Sequence, residues 1–270
     1  MTEKKPQQEK PKTDRYSAPA LDKGLDIIEL LAVSDGPISQ TEIARTLGRG
    51  VNEIYRMLDT LVRRRYIVTT GSGDRYQLSL KMLTLVNAYP PMQRLKTIAE
   101  PIMRSFAREA YQSCHLAVWD DGNVVVENPV ISPGVWQWSL RNGAHIGLYN
   151  SGSGKVLAAF QPEDVQRQMI EKYCLVAGEQ PLATDEFLAK LEVIRRQGFV
   201  REASITAEGI VNMSYPILDF SGRVICSLTC PFVRHIDTTD APDEDHVFAL
   251  FTRAAQALTD QLIGERSASE

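Results

Sequence analysis

The chain has 270 residues, of which 43% are hydrophobic and 24% charged, and its formal net charge is −4. This composition predicts a globular protein of one large or two medium domains, and the acidic balance argues against a non-specific nucleic-acid binder. No uncharged apolar run reaches the roughly 18 residues of a membrane span, and no secretory signal is evident. With four scattered cysteines, the sequence predicts a cytoplasmic protein with free thiols and no membrane partner.

The first segment, residues 1–17, is rich in Lys, Gln, Pro and Glu and contains almost no apolar side chains. Such a composition cannot bury a core, and we therefore expect a disordered arm. This arm has either no role or, through its basic residues, a weak contact with DNA phosphate.

A helix is predicted over residues 20–33, in which helical spacing puts four apolar positions on one face: Leu21, Leu25, Ile28 and Leu31/Ala32. Two shorter amphipathic helices follow, over about residues 39–47 and 52–62, joined by a tight turn at Gly48. The first of these begins at a predicted capping box, in which Ser39 caps the helix and the glutamate three residues later reaches back. The arrangement is typical of a helix–turn–helix.

Two segments that alternate like strands follow, over residues 66–70 and 75–78, with a glycine-containing hairpin loop between them. Three helices and a hairpin together predict a winged helix–turn–helix over residues 18–78. Proteins of this design insert the last helix, the recognition helix, into the major groove of double-stranded DNA. We therefore expect operator DNA as a partner.

Positive charge gathers in this region, since six arginines lie within residues 43–65 against only Glu53 and Asp59. Side chains at the start of the recognition helix are predicted to read bases, and those on the preceding helix and the wing to contact the DNA backbone. Glu53 would repel phosphate unless it accepts a hydrogen bond from a cytosine amino group. The predicted DNA contacts are Gln40, Thr41, Arg45, Asn52, Glu53, Tyr55, Arg56, Arg63 and Arg75. The alternative is a solvated surface of a winged helix used only for protein contacts.

A linker helix is predicted over residues 79–92, with a domain boundary at Pro90-Pro91, and a further helix over 94–112. The remaining pattern predicts strands over 115–119, 124–128, 135–141, 211–218 and 224–230. Helices are expected over 153–160, 163–173, 185–197 and 243–263. Local turns between strand pairs indicate a mainly antiparallel sheet flanked by helices, an α+β fold that spans residues 93–265.

The sequence Ser-Gly-Ser-Gly-Lys at residues 151–155 leads into an apolar helix. Free backbone N–H groups at a helix N-terminus bind anions, and this would suit a carboxylate. The motif is not a phosphate-binding Walker A loop, because Tyr149 and Val156 replace the glycine and the hydroxyl residue that such a loop needs. A plain glycine turn is the alternative.

By its motifs, the chain resembles the IclR family of bacterial transcriptional regulators. The resemblance covers residues 18–264 and rests on ALDKGLDIIELL at 20–31, YRMLDTL at 55–61, YQL at 76–78, SGSGKVLA at 151–158 and RRQGF at 195–199, followed by Glu208-Gly209. It implies a winged helix, a linker helix and a GAF-like effector domain that binds a small metabolite. It also implies homodimers or homotetramers on palindromic operators. Family recognition helices often begin with a Pro-Lys-Ser-Thr-like run, where this chain has Gly-Val-Asn-Glu at 50–53.

The resemblance also implies positions that line the effector site. These are Val135, Trp138, Ile146, Gly152, Ser153, Glu202, Ile210 and Asn212. The sequence adds Ser151 at the helix start and His145 nearby. Trp136 and Trp138 would share one face of the predicted strand, which favours an aromatic carboxylate or a cation, unless they belong to the core or to a dimer interface.

An enzyme is the competing class of function, but no catalytic residue is predicted. The sequence contains no nucleophile elbow and no nucleotide fingerprint, and its histidines and cysteines lack metal-ligand spacing. We therefore expect no cofactor and no metal. A module for protein contacts that carries a winged helix is the third class.

Overall fold

The computed structural model describes residues 18–71, 73–219, 221–236 and 241–267, so the predicted arm at 1–17 lies outside the described residues. The chain divides into two compact units between Pro90 and Pro91. In the described part of the chain, no helix is both long and apolar enough to cross a membrane.

The N-terminal unit contains the predicted three helices and hairpin. Its elements are α1 (Pro19–Ala32), β1 (Ile38–Ser39), α2 (Gln40–Thr46), α3 (Val51–Arg63), β2 (Ile67–Thr70), β3 (Arg75–Leu78) and α4 (Lys81–Asn87). The three strands form an antiparallel sheet in the order β1-β3-β2. The predicted capping box is confirmed, because Ser39 and Glu42 bond each other's backbone N–H at the start of α2.

The face predicted for α1 is buried only at its C-terminal end. Leu31 is buried and Ile28 packs against the core, whereas Leu21 and Leu25 are 61% and 47% exposed and Ile27, which was not predicted, is fully buried. Two apolar stripes lie side by side on this helix, and helical spacing alone does not say which one meets the core. The stripe that packs against α3 is the one that contains Ile27.

The end of α3 is fastened to the start of α4. Arg65 takes the left-handed conformation with φ 62°, and the Tyr66 N–H bonds the Leu61 carbonyl, which closes the helix with a Schellman turn. Ser79 Oγ then donates to the Arg65 carbonyl at 2.5 Å. Lys81 Nζ donates to the Arg64 carbonyl at 2.8 Å and lies 4.4 Å from the Tyr66 ring centroid.

The C-terminal unit is a six-stranded antiparallel sheet with helices on both faces. Its elements are α5 (Pro90–Ala110), β4 (Cys114–Asp120), β5 (Asn123–Val130), β6 (His145–Ile146), α6 (Gly152–Ala159), α7 (Glu163–Lys172), α8 (Thr184–Gln197), β7 (Val200–Ala203), β8 (Ile210–Leu218), β9 (Val224–Val233) and α9 (Glu244–Ser267). The strand order is β6-β5-β4-β9-β8-β7. Leu116 packs with α5 and α9, and the next residue, Ala117, packs with α6 to α8. This alternation places one core on each face of the sheet.

The predicted strand at residues 135–141 is wrong, because that segment is irregular and Val135 is 94% exposed. The outer edge of β5 is taken instead by β6, in which His145 pairs with Val125. Alternating large side chains form a strand only where a neighbouring strand pairs with them. Because this segment is not a strand, Trp136 and Trp138 do not share a strand face.

Candidate DNA-binding surface and effector cavity

The recognition helix α3 separates its residues cleanly. Ile54 and Leu58 are buried, and Asn52, Tyr55 and Arg56 are exposed on the other faces. Within the described part of the chain, these three polar side chains have no hydrogen-bond or ion-pair partner, so their donors and acceptors are free for an external ligand.

Other predicted DNA contacts have partners within the protein. Gln40 Nε2 donates to the Val51 carbonyl at 2.9 Å and so joins α2 to the start of α3. Arg75 Nη1 donates to the Pro37 carbonyl at 2.8 Å and lies 3.8 Å from Glu42. Both side chains therefore stabilise the fold of the N-terminal unit, in addition to any contact with DNA. Thr41, Arg45 and Arg63 are exposed.

Glu53 also has protein partners. Its carboxylate lies 2.6 Å from Lys23 Nζ and 3.8 Å from Arg49 Nη1, and Arg49 Nη2 lies 2.6 Å from Asp26. The hydrogen bond from Lys23 is the main reason why the pKa of Glu53 is lowered. The charge of Lys23 and, after it, a hydrogen bond with the Gly50 backbone lower this pKa further.

In the C-terminal unit, a cavity of about 240 Å³ lies between the sheet and the start of α6. The structure brings seven of the predicted effector positions to this cavity: Trp138, Ile146, Ser151, Gly152, Ser153, Ile210 and Asn212. It leaves three outside: Val135 in the irregular loop, His145 on β6 and Glu202 on β7.

The glycines of the Ser-Gly-Ser-Gly sequence lie inside α6 rather than in a turn. A Cβ on Gly152 would lie 2.5 Å from Ser214 Oγ, so only glycine lets the helix approach β8 this closely. Ser151 Oγ accepts the Gly154 N–H at 2.9 Å. The N–H groups of Gly152 and Ser153 precede the first intrahelical bonds and border the cavity, where they can bind an anion.

A chain of four buried polar side chains connects the start of α6 to the sheet, and three of them, His115, Ser153 and Thr229, line the cavity. His115 Nε2 lies 3.4 Å from Ser153 Oγ, Ser153 Oγ lies 2.8 Å from Thr229 Oγ1, and Thr229 donates to Ser214 at 2.8 Å. Burial lowers the pKa of His115 to about 4, so its ring is neutral at pH 7. Sequence reasoning missed His115 and Thr229, although alternation along the two strands does place them on the α6 side.

Glu179 holds the loop that leads into α6, and it too was missed. Its buried carboxylate accepts the Tyr149 N–H at 2.7 Å and the Asn150 N–H at 3.1 Å. Tyr173 donates its hydroxyl proton to the same carboxylate and accepts the Leu148 N–H at 3.0 Å. Burial, followed by the bond to Glu179, raises the pKa of Tyr173. Three consecutive amides are thus fixed by one pair of side chains.

Glu202 takes part in a different feature. Its carboxylate lies 2.5 Å from the nearly buried Lys155 Nζ, and both residues line a neighbouring groove of about 930 Å³ beside α8. The ion pair neutralises Lys155, so this lysine does not add positive charge to the smaller cavity.

Comparison with known proteins decides the family. Residues 20–71 match the IclR helix-turn-helix domain, and residues 88–259 match the C-terminal domain of the bacterial transcriptional regulator IclR. The chain belongs to the IclR family. It is therefore a DNA-binding transcriptional regulator with an effector domain, and not an enzyme. Among the described residues, no group of three or more His, Cys, Asp and Glu side chains forms a possible metal site.

Two curated relatives illustrate the similarity. The HTH-type transcriptional regulator KdgR of Escherichia coli is 27% identical over 202 residues, which cover 72% of this chain and 75% of KdgR. The p-hydroxybenzoate hydroxylase transcriptional activator of Acinetobacter baylyi is 24% identical over 230 residues, 81% of this chain and 82% of the activator.

Among solved structures, an IclR homologue from Microbacterium hydrocarbonoxydans, complexed with 4-hydroxybenzoate, superposes with a TM-score of 0.73. The match covers 90% of this chain and 98% of that structure at 18% sequence identity. At this identity, the similarity shows the common fold.

Proposed function

We propose that this regulator binds operator DNA through α3 and the wing, and that a small carboxylate in the α6 cavity controls this binding. The observation that carries the proposal is the cavity itself, where the start of α6 lies beside the buried polar side chains of His115, Ser153 and Thr229. An anion is stabilised at the helix N-terminus, and the neutral side chains add hydrogen bonds without a competing charge.

The ligand is small and has a planar apolar body. The cavity of about 240 Å³ is below the usual size for a drug-like ligand, and Trp138 presents an indole at its edge. The relative that was solved with 4-hydroxybenzoate binds a ligand of this kind. Trp136 lies outside this cavity, so we assign ring contact to Trp138 alone.

On the DNA side, Asn52, Tyr55 and Arg56 read bases in the major groove, and Thr41, Arg45 and Arg63 contact phosphates. Their exposure and their lack of partners in the described part of the chain support this assignment. We place the DNA-binding domain at residues 18–78, the linker, which contains α4, at 79–92 and the effector domain at 93–265.

The active form is a homodimer or a dimer of dimers. Helix α4 and its flanks expose five large apolar side chains, each at least 46% accessible: Leu80, Leu83, Leu85, Val86 and Tyr89. Five exposed large apolar side chains within residues 80–89 are typical of an interface. Two copies would present two recognition helices to a palindromic site.

The two tryptophans of the irregular loop provide the test. Trp138→Ala removes a side chain that lines the cavity, and Trp136→Ala removes one that does not. We expect Trp138→Ala to weaken binding of 4-hydroxybenzoate or benzoate about tenfold, the loss of roughly 1.4 kcal/mol of ring contact, as measured by calorimetry. Trp136→Ala should bind like the wild type. Equal losses in both variants, or no binding of any small carboxylate by the wild type, would contradict the assignment of the cavity.

A further inference from the structure

Four charged side chains join α1 to the start of α3. Lys23 pairs with Glu53 at 2.6 Å, Arg49 pairs with Asp26 at 2.6 Å, and Arg49 also lies 3.8 Å from Glu53. Two cations therefore meet two anions, and the cluster has no net charge. The side chains are 23–40% exposed, so solvent and other ions can reach them.

The position of this cluster gives it consequences for DNA. Glu53 is the third residue of α3 and lies next to Asn52, in the first turn of the recognition helix. This is the end of a recognition helix that enters the major groove, close to phosphates on either side. Lys23 and Arg49 are thus two cations within reach of that end, and both are already paired.

Three other arginines of the unit differ from Lys23 and Arg49. Arg45, Arg56 and Arg63 form no ion pair within the described part of the chain, whereas Arg75 lies 3.8 Å from Glu42. Sequence composition counts all these cations alike, but the structure divides them into free and neutralised groups. Only the free group can contribute to phosphate binding without first losing an ion pair.

We propose that Glu53 competes with DNA phosphate for Lys23 and Arg49, and that it thereby sets the ratio of backbone to base contacts. Exposed ion pairs are weak, so phosphate can replace the carboxylate, but the replacement also leaves Glu53 beside the negatively charged backbone. The wild type therefore keeps fewer phosphate contacts than its arginine content predicts. This inference rests on the proposed entry of α3 into the major groove.

The variant Glu53→Gln separates charge from structure, because glutamine at the third helical position still accepts the Gly50 N–H. The probe is a fluorescent 30-base-pair duplex of mixed sequence, titrated with the full chain at several salt concentrations. We expect binding to tighten at least threefold at low salt. The slope of log affinity against log salt should steepen by about 0.9 for each additional phosphate that the variant neutralises, hence by roughly one to two.

Asp59→Asn is the matched control. It removes one negative charge from the same helix, and Asp59 is exposed without an ion-pair partner in the described part of the chain. We expect a smaller rise in affinity and an unchanged salt slope. Equal rises and equal slopes for Glu53→Gln and Asp59→Asn would overturn the proposal, since general repulsion would then explain both.

Two further variants complete the test. Lys23→Gln alone should change the affinity for DNA little. In a Glu53→Gln background, the same substitution should cancel part of the rise in affinity. Full additivity of the two changes would overturn the proposal.

Arg56→Ala, measured on an operator selected from a random duplex library, reports on α3 itself. If α3 does not meet DNA, Arg56→Ala and Glu53→Gln both leave binding unchanged, whereas failure of the competition alone leaves the Arg56→Ala loss intact.

Discussion

The two units build their sites in opposite ways. The N-terminal unit presents exposed side chains from one continuous helix, and the residues beneath them, such as Ile54 and Leu58, have only a structural role. The C-terminal unit assembles its cavity from several elements, among them β4, α6, β8 and β9, and the polar side chains of His115, Ser153 and Thr229 in its lining are buried. His115 and Thr229 face each other across two strands that are far apart in the chain.

This difference predicts different responses to mutation. Where functional side chains are exposed, a substitution removes a contact with the ligand and leaves folding nearly unchanged. Where they are buried, the same side chains belong to the core, so function and stability change together. We therefore expect substitutions of the buried polar residues in the effector site to lower the free energy of unfolding as well as ligand affinity.

The largest expected effect concerns pH and His115. Its pKa is about 4 in the folded protein, against 6.5 for an ordinary histidine, so between these values the unfolded chain binds more protons than the native one. Stability is therefore complete above pH 6.5 and is lost as the pH falls towards 4. Acidification from pH 7 to about pH 4 therefore lowers the free energy of unfolding by about 3 kcal/mol through His115.

Urea unfolding at pH 7, 6, 5 and 4 measures this effect as the difference between wild type and His115→Gln. The variant should lose less stability on acidification than the wild type does. His145→Gln, which removes an exposed histidine, is the control and should follow the wild type. Parallel curves for wild type and His115→Gln would show that burial of this ring does not govern the acid response.

The next effect contrasts two glycines. A Cβ on Gly154 would collide with the backbone of Gly147 and Leu148, whereas a Cβ on Gly24 in α1 would meet nothing within 4 Å. We expect Gly154→Ala to lower the free energy of unfolding by roughly 1–3 kcal/mol through overpacking. Gly24→Ala should raise it by about 0.5–1 kcal/mol, because alanine favours a helix.

Chemical unfolding can follow the two units separately. All three tryptophans of the chain lie in the C-terminal unit, at positions 119, 136 and 138, so their fluorescence reports on Gly154→Ala. Helical circular dichroism reports on both units, so the effect of Gly24→Ala is the shift of the circular-dichroism transition that tryptophan fluorescence does not show. If the free energy of unfolding changed with the same sign in both variants, the expected difference between the packed helix α6 and the open site on α1 would be contradicted.

The smallest expected effect on stability belongs to Arg56. Arg56→Ala should weaken binding to an operator selected from a random duplex library about tenfold, since a good base contact contributes roughly 1–3 kcal/mol. The free energy of unfolding should stay within about 0.5 kcal/mol of the wild type. Gel-shift titration and urea unfolding measure the two quantities. A loss of stability without a loss of operator affinity would place Arg56 among the structural residues.

The N-terminal unit was largely predictable because its signals are local. The capping box at Ser39 and the apolar spacing of α3 are both contained within a few neighbouring residues, and helix propensity acts over the same distance. What failed there was not local. The choice between two apolar stripes on α1, and the pairing of Glu53 with Lys23, both depend on contacts between helices.

The effector cavity was predictable only in part. Resemblance to a family pointed to Gly152, Ser153 and Asn212, which the structure places on the cavity. It did not point to His115, because strand register decides which residues of β4 and β9 meet, and the sequence does not encode that register in any short motif. Glu179 lies in a loop without a recognisable pattern. Its role arises from two amides of another loop, those of Tyr149 and Asn150, and from the hydroxyl of Tyr173, which bonds the third amide.

The fastening of α3 to α4 has an evolutionary consequence. Ser79 and Lys81 bond the main-chain carbonyls of Arg65 and Arg64, not their side chains. Every amino acid offers the same carbonyl whatever its side chain, so the outer residues of the recognition helix can be exchanged while the attachment persists. A regulator built in this way can acquire a new operator sequence without rebuilding the joint that connects its reading helix to the rest of the protein.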